Sequence, residues 1–171
     1  NLSIQIRNLS FEYKESQPII SKLSAELNAG KTYHIQGKAG SGKSTLFRLL
    51  LKLHNVPEGH LFISGHDIQR IGAHDLRKLM TTIGDDFPLL GNTIFEAISY
   101  SRKEAKRSSA ATAVVQLGLC RENEAENYLD RRLLRTASDL SSAERRMLQF
   151  ARAVLTKKPI LLLDEPFLGL N

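Results

Sequence analysis

The stretch Gly37-Lys38-Ala39-Gly40-Ser41-Gly42-Lys43-Ser44-Thr45 fits the pattern G-x-x-x-x-G-K-[ST]. The run Thr32-Tyr33-His34-Ile35-Gln36 precedes it, and a helix-like run, Leu46 to Leu53, follows. Strand, glycine turn and helix form the context in which this pattern is a phosphate cradle, or P-loop. The glycines let the backbone curve around an anion with no Cβ in the way. Successive N–H groups then point inward, and the start of the helix adds its positive dipole end. Lys43 is placed to reach β- and γ-phosphates, and the Ser44 hydroxyl to ligate Mg²⁺. The plainer alternative, a glycine-rich turn that binds nothing, leaves these flanks unexplained.

A second stretch, Ile160-Leu161-Leu162-Leu163-Asp164-Glu165, is four aliphatics followed by two acids. A continuous apolar strand reads as one buried on both faces of a parallel sheet. Ligands of doubly wound sheets bind outside the carboxyl ends of the strands. That expectation brings Asp164 next to the P-loop, where it can hold Mg²⁺ through water. Glu165 is then placed to polarise an attacking water. Taken alone, an acid pair at a strand end is more often a turn or a cap.

The remaining chain is consistent with one α/β domain. Leu2 to Arg7 alternates apolar and polar residues, as does 19–27, so two antiparallel strands lead toward the P-loop. His60 to Gly65 is another short strand and turn, His74 to Met80 looks helical, and Thr81 to Gly84 is a short strand. Thr93 and Glu96 form a capping-box signature. Residues 101–128 are helical in composition, and 122–136 are charged without clear period. Ser141 or Ser142 caps a long helix to about Leu155, with Met147, Leu148, Ala151 and Leu155 on one face.

Composition narrows the class. No apolar run approaches the roughly 18 residues of a membrane span. No charged-then-apolar leader is present. The single cysteine, Cys120, excludes an internal disulfide and fits a reducing compartment. The formal charge of +6 is spread along the chain, and its densest group, Arg131, Arg132 and Arg135, has no interleaved aromatics. A solvated basic face explains it better than a nucleic-acid surface. The chain lacks an initial Met and ends at Asn171, just after a motif that normally lies inside a domain, so it reads as an excised or C-terminally truncated piece.

Lys43, Asp164-Glu165-Pro166 and the stretch Leu140-Ser141-Ser142-Ala143-Glu144-Arg145-Arg146 together resemble the nucleotide-binding domain of an ATP-binding cassette (ABC) transporter. The resemblance runs from Leu2 to Asn171. It is nearest the exporter type, through Phe11-Glu12-Tyr13 and the stretch Pro88 to Ile98. It implies an α/β P-loop ATPase with a mixed or parallel sheet core, antiparallel N-terminal strands and an inserted helical subdomain. The ATPase core would take residues 1–71 and 157–171, and the mostly helical subdomain 72–156.

The resemblance also implies roles. Tyr13 would stack on adenine, for which an aromatic face suffices; a strand-end core aromatic is the alternative. Ile19 would flank the adenine or ribose. Gly37 to Thr45 would bind the phosphates of ATP. Asp164 would assist Mg²⁺ and Glu165 would be the catalytic carboxylate. Ser141 would reach the γ-phosphate of ATP bound by a partner subunit, since two such domains close head to tail around two ATP molecules.

Three departures stand out. The family's glutamine-loop Gln aligns with Asp85, which offers a charge on a shorter arm. Asp85 could still ligate Mg²⁺, or Asp85-Asp86 could be a solvated acidic turn; both readings stay open. The signature Leu-Ser-Gly-Gly-Gln is here Leu140-Ser141-Ser142-Ala143-Glu144. Both glycines have gained a Cβ, and the acid of Glu144 would be repelled by a polyphosphate. Arg135 aligns where exporters usually carry a Glu that couples to the membrane domains. The family's switch histidine would come after the chain ends, and His34, His54, His60, His66 and His74 lie too early to fill that role.

The resemblance thus implies an Mg²⁺-dependent ATPase that drives export across a membrane. Its partners would be a second such domain, in a homo- or heterodimer, and transmembrane domains; nucleic acid is not among them. It would sit at the cytoplasmic face of the cell membrane. The alternatives are a nucleotide-dependent dimerisation module with little hydrolysis and a soluble, non-transport ABC ATPase.

Overall fold

Strand β1, Ser3–Phe11, has its two neighbours in place: the antiparallel partners β2, Ile20–Asn28, and β3, Leu61–Ile63. A two-residue strand β4, His66–Asp67, extends the sheet in the order β2-β1-β3-β4. These assignments come from a computed structural model that describes residues 2–13, 18–100, 104–134 and 139–168. The chain divides into two units, Asn1–Arg77 and Lys78–Asn171.

In the first unit the sequence of β1 dictates an irregularity. Ile4 and Ile6 are buried at even positions, yet the next buried residue is Leu9. A regular strand would turn Leu9 to the opposite face. The register shifts between Ile6 and Leu9, with Asn8 at φ 46°, and Leu9 returns to the core. Asn tolerates this left-handed conformation better than a branched residue. Lys22, on the facing strand, is likewise at φ 50°. Each irregular N–H finds a serine across the ladder: Asn8 donates to Ser24 Oγ at 2.8 Å, and Lys22 to Ser10 Oγ at 3.0 Å.

Helix α1, Lys43–Leu50, buries Thr45, Leu46, Phe47, Leu49 and Leu50. The expected strand before the P-loop does not form: residues 32–36 adopt neither helix nor strand. Thr32, Tyr33, His34 and Gln36 are exposed and Ile35 is half-buried. Both sides of β1 are already taken by β2 and β3. A mostly polar run satisfies its backbone with water at little loss.

The second unit joins a small sheet to a helical cluster. The first unit ends within helix α2, Ala73–Lys78, and strand β5, Met80–Ile83, follows in the second. β5 pairs in parallel with strand β6, Ile160–Leu163, in the register Met80 to Ile160 through Ile83 to Leu163. β6 is covered on one face only, contrary to the expectation from its unbroken aliphatic run. Ile160 and Leu162 are buried, whereas Leu161 and Leu163 are 48% and 38% exposed. Among the described residues the sheet has two strands, and the helix Ser142–Thr156 packs against it.

Helices α3, Ile94–Ser99, α4, Arg107–Gln116, and α5, Ala125–Asp130, gather around α6, Ser142–Thr156. Ile98, Val114, Leu129, Leu148 and Ala151 are at the centre of their apolar core. The Thr93 cap of α3 forms as expected, its Oγ1 accepting the Glu96 N–H at 3.2 Å. The Glu96 carboxylate takes the Asn92 N–H instead of that of Thr93. The charged stretch after Gly118 contains α5, whose Leu129 is fully buried. Antiparallel and parallel pairings thus coexist in one α/β chain.

Candidate functional site

The P-loop enters α1 through Gly42, which occupies the N-cap at φ 88°. No side chain caps this end, and the first turn carries no acid. Its N–H groups and dipole therefore meet an anion without an internal competitor. Lys43 folds back over the loop, and its Nζ donates to the carbonyls of Gly37 at 2.9 Å and Lys38 at 3.0 Å. A phosphate would offer that ammonium an opposite full charge, where the two carbonyls offer only dipoles. The residues present therefore fit a polyphosphate. Lys38, Ala39, Gly40 and Ser41 are exposed, Ser44 is half-buried and Thr45 is buried.

Two further residues singled out from the sequence lie at this turn. The Tyr13 hydroxyl is 3.3 Å from Thr45 Oγ1 and 3.4 Å from His54 Nε2, and Arg48 Nη1 donates to it at 3.4 Å. The Tyr13 ring meets Phe11 and His54 edge-on, with centroids 5.1 Å away in each case. Ile19 lies against the helix start: a Cβ on Gly42 would come within 2.8 Å of Ile19 Cγ2. Sequence reasoning passed over Arg48 and His54. Their spacing on the chain carries no signal, because it is the approach of the β1 end to α1 that unites them with Tyr13.

In the second unit, β5 and β6 end side by side. The Asp164 N–H continues the ladder to the Ile83 carbonyl at 2.8 Å. Glu165 follows, exposed, with φ 45° and a proline after it. This left-handed conformation is one Glu165 shares with Asn8, Lys22, Lys52, Ser64 and Lys157. Turn 84–87 sits beside it, so that a Cβ on Gly84 would lie 3.1 Å from Asp164 Cβ.

Helix α6 holds that turn with two side chains to which the sequence analysis assigns no role. Gln149, 1% exposed, takes the Gly84 N–H on Oε1 at 3.1 Å. Its Nε2 donates to the carbonyls of Gly84 at 2.9 Å and Phe87 at 2.7 Å. Arg146 pairs with Asp85, Nη2 to Oδ1 at 2.8 Å. A glutamine inside the apolar face of an amphipathic helix was the available clue, since a buried amide demands partners.

The signature stretch starts α6. Ser141 is its N-cap, and Oγ accepts the Glu144 N–H at 3.1 Å. The hydroxyl keeps its own hydrogen to donate outward. Ser142 is exposed and Ala143 half-buried. Glu144, the acid expected to repel a polyphosphate, is paired inside its own unit. Its Oε1 accepts from the Tyr128 hydroxyl at 2.8 Å and from Arg131 Nη1 at 2.7 Å. Burial, reinforced by the bond to Glu144, pushes the Tyr128 phenol well above its ordinary value, so it remains a donor. Arg135 lies outside the described residues.

Among the described residues, no three His, Cys, Asp or Glu side chains gather as a metal cage. Mg²⁺ needs none, because it binds through one or two protein oxygens together with phosphates and water. The Ser44 hydroxyl in the first unit and the Asp164 carboxylate in the second each offer an oxygen of that kind within their own unit.

Similarity to known proteins converges on one group. The chain is 29% identical over 165 residues to the ATP-dependent lipid A-core flippase of Salmonella typhimurium, covering 95% of this chain and 28% of the flippase. It is 32% identical over 163 residues to the mitochondrial iron-sulfur clusters transporter ATM1 of Debaryomyces hansenii, covering 95% of this chain and 23% of that one. Among solved structures, a bacterial Atm1-family ABC exporter with ATP bound matches with a TM-score of 0.85 at 29% identity. That match takes in 99% of this chain and 30% of the exporter. The chain spans less than a third of the length of these relatives. The family model described as ABC transporter matches residues 20–168. The chain belongs to the ABC transporter family.

Proposed function

We propose that this chain is the ATP-hydrolysing part of an ABC exporter, working at the cytoplasmic face of a membrane. The observation that carries this reading is the uncapped, acid-free start of α1 behind Gly42, with the Lys43 ammonium folded over the loop. Residues 37–45 bind the phosphates, and Tyr13 and Ile19 serve the nucleoside end. Ser44 and Asp164 would hold Mg²⁺, which would supply positive charge to offset that of the phosphates. Glu165 accepts a proton from the attacking water. Catalysis is then mainly positioning and charge stabilisation. Ser141 donates its hydroxyl hydrogen to the phosphate held by a second domain of the same kind. Transmembrane domains of the exporter receive the resulting motion.

ATP turnover by the intact protein beside its Glu165→Gln and Lys43→Ala variants tests the proposal. Glu165→Gln is expected to retain ATP and lose turnover, and Lys43→Ala to lose both. Equal rates from the natural protein and Glu165→Gln would sink the catalytic role. If ATP still drives dimer formation in that case, the chain is a nucleotide-dependent dimerisation module instead. Brisk hydrolysis by the isolated monomer would contradict the need for a partner's Ser141.

A further inference from the structure

Arg146 is a charged side chain buried on α6 beside the apolar residues Leu148, Ala151 and Leu155 and the amide of Gln149. Its side chain is 3% exposed, while that of its partner Asp85 is 76% exposed. The two ends of this pair therefore have unequal needs. Water can solvate Asp85 unaided, but a guanidinium taken out of water needs a counter-charge or good acceptors. The other acceptor of Arg146 is the Asp164 carbonyl, at 3.5 Å from Nη1, the outer limit of a hydrogen bond. One side chain thus bridges the turn after β5 and the acid-bearing end of β6, from a helix whose first turn is the signature stretch.

We propose that Asp85 acts as the anchor of Arg146, and that the pair is a positioning device. It fixes the backbone on which Asp164 and Glu165 stand relative to α6. Asp85 then influences turnover through Arg146 and not as a ligand of Mg²⁺. Gln149 braces the same turn through its backbone, three residues along the helix, so the turn is held by two independent grips. The sum of these contacts makes α6 the ruler between signature and acid pair. The inference rests on the ATPase reading above.

A double-mutant cycle on the intact protein separates the two roles. Asp85→Asn leaves Arg146 buried beside a neutral partner. We expect kcat to fall about tenfold, while KM for ATP and the Mg²⁺ concentration for half-maximal rate stay within about twofold. Replacing both, as Asp85→Asn with Arg146→Met, removes the stranded charge with little change in side-chain bulk. If the two act as one device, the double variant should lose little more kcat than Asp85→Asn alone, because both changes remove the same contact. Asp85→Glu keeps the charge and should retain most of the rate, even if Asp85→Asn proves too unstable to assay. The proposal is overturned if Asp85→Asn raises the Mg²⁺ requirement several-fold and adding Arg146→Met multiplies the loss in kcat, since Asp85 would then act independently as a metal ligand. It is also overturned if neither single variant alters kcat. Lys43→Ala, run alongside, keeps the failures apart. Equal rates from Lys43→Ala and the natural protein refute the ATPase reading and this inference with it. A failed cycle beside an inactive Lys43→Ala refutes this inference alone.

Discussion

Tyr128 donates its phenolic hydrogen to Glu144 at 2.8 Å, and so joins α5 to the first turn of α6. Arg131 reaches the same carboxylate oxygen at 2.7 Å. An acid in the signature stretch would oppose a phosphate if it faced outward. Here its charge is balanced from behind while its position at the start of a helix remains favourable for the dipole. The altered signature is therefore less hostile to an anion than its letters suggest.

Replacing Tyr128 by Phe should show this in stability and in pH dependence. The lost bond to a partly exposed, charged acceptor is expected to cost about 1–2 kcal/mol. Burial first, then Glu144, raises the phenol from its ordinary 10.0. Above a pH of about 10 the unfolded chain has released this proton and the folded chain keeps it. The folded state then binds more protons, so stability falls with rising pH by up to about 1.4 kcal/mol per unit. Below that range both states keep the proton and the effect is absent. Urea unfolding on either side of pH 10 should show the slope in the natural protein and less of it in Tyr128→Phe. Identical slopes would refute the assignment.

Gln149→Leu should be among the costlier single changes in the second unit. It strips partners from the Gly84 N–H, the Gly84 carbonyl and the Phe87 carbonyl. Leucine fills similar space, so the loss comes from unmet backbone polarity, about 2–4 kcal/mol. Hydrogen exchange should quicken at the Gly84 amide well before it does in the core of α6. Unchanged protection at Gly84 would mean the amide is not held by this side chain.

Two glycines of the P-loop should respond differently to alanine. Both have positive φ, 77° at Gly40 and 88° at Gly42, so each substitution carries a backbone cost of about 1–2 kcal/mol. A Cβ at Gly40 meets nothing within 4 Å. At Gly42 it meets Ile19 Cγ2 at 2.8 Å, Ile20 Cγ1 at 3.1 Å and the Ile19 carbonyl at 3.2 Å. Gly42→Ala should therefore be the more destabilising by about 1–3 kcal/mol, the usual cost of overpacking. Thermal unfolding of the two variants side by side decides it, and equal losses would show that Ile19 yields freely.

These particulars mark how far the sequence carried. The P-loop, the Ser141 cap and the acids after Leu163 were legible because each motif is local, with fixed spacing along the chain. Strand β1 was legible from alternation, but its register shift at Asn8 was not, since that depends on which face Leu9 must reach. The strand expected at 32–36 and the double burial expected of β6 did not follow. Periodicity reports which residues suit a strand, whereas pairing and cover depend on what lies beside it. The partners of Glu144 and Asp85 were invisible for a simpler reason. Tyr128 and Arg146 stand 16 and 61 residues from them, and only the fold makes them neighbours.

Ser141 offers the sharpest separation of structure from function. As N-cap of α6 it spends one lone pair on the Glu144 N–H and keeps its hydroxyl hydrogen. Aspartate caps helices as well as serine does, so Ser141→Asp should hold stability within about 0.5 kcal/mol, whereas Ser141→Ala should lose about 1 kcal/mol. The two differ in the opposite sense toward a phosphate. Aspartate replaces a donor by a negative acceptor, and alanine merely deletes the donor. Losing a single well-aimed donor lowers turnover about a hundredfold in comparable sites, and an added repulsive charge should deepen that loss. Ser141→Asp is therefore expected to be stable and inactive, and Ser141→Ala less stable yet more active than it. Thermal unfolding and ATP turnover measured on the same preparations give the comparison. A stable Ser141→Asp protein with full turnover would reduce Ser141 to a helix cap and remove its role toward the partner's nucleotide.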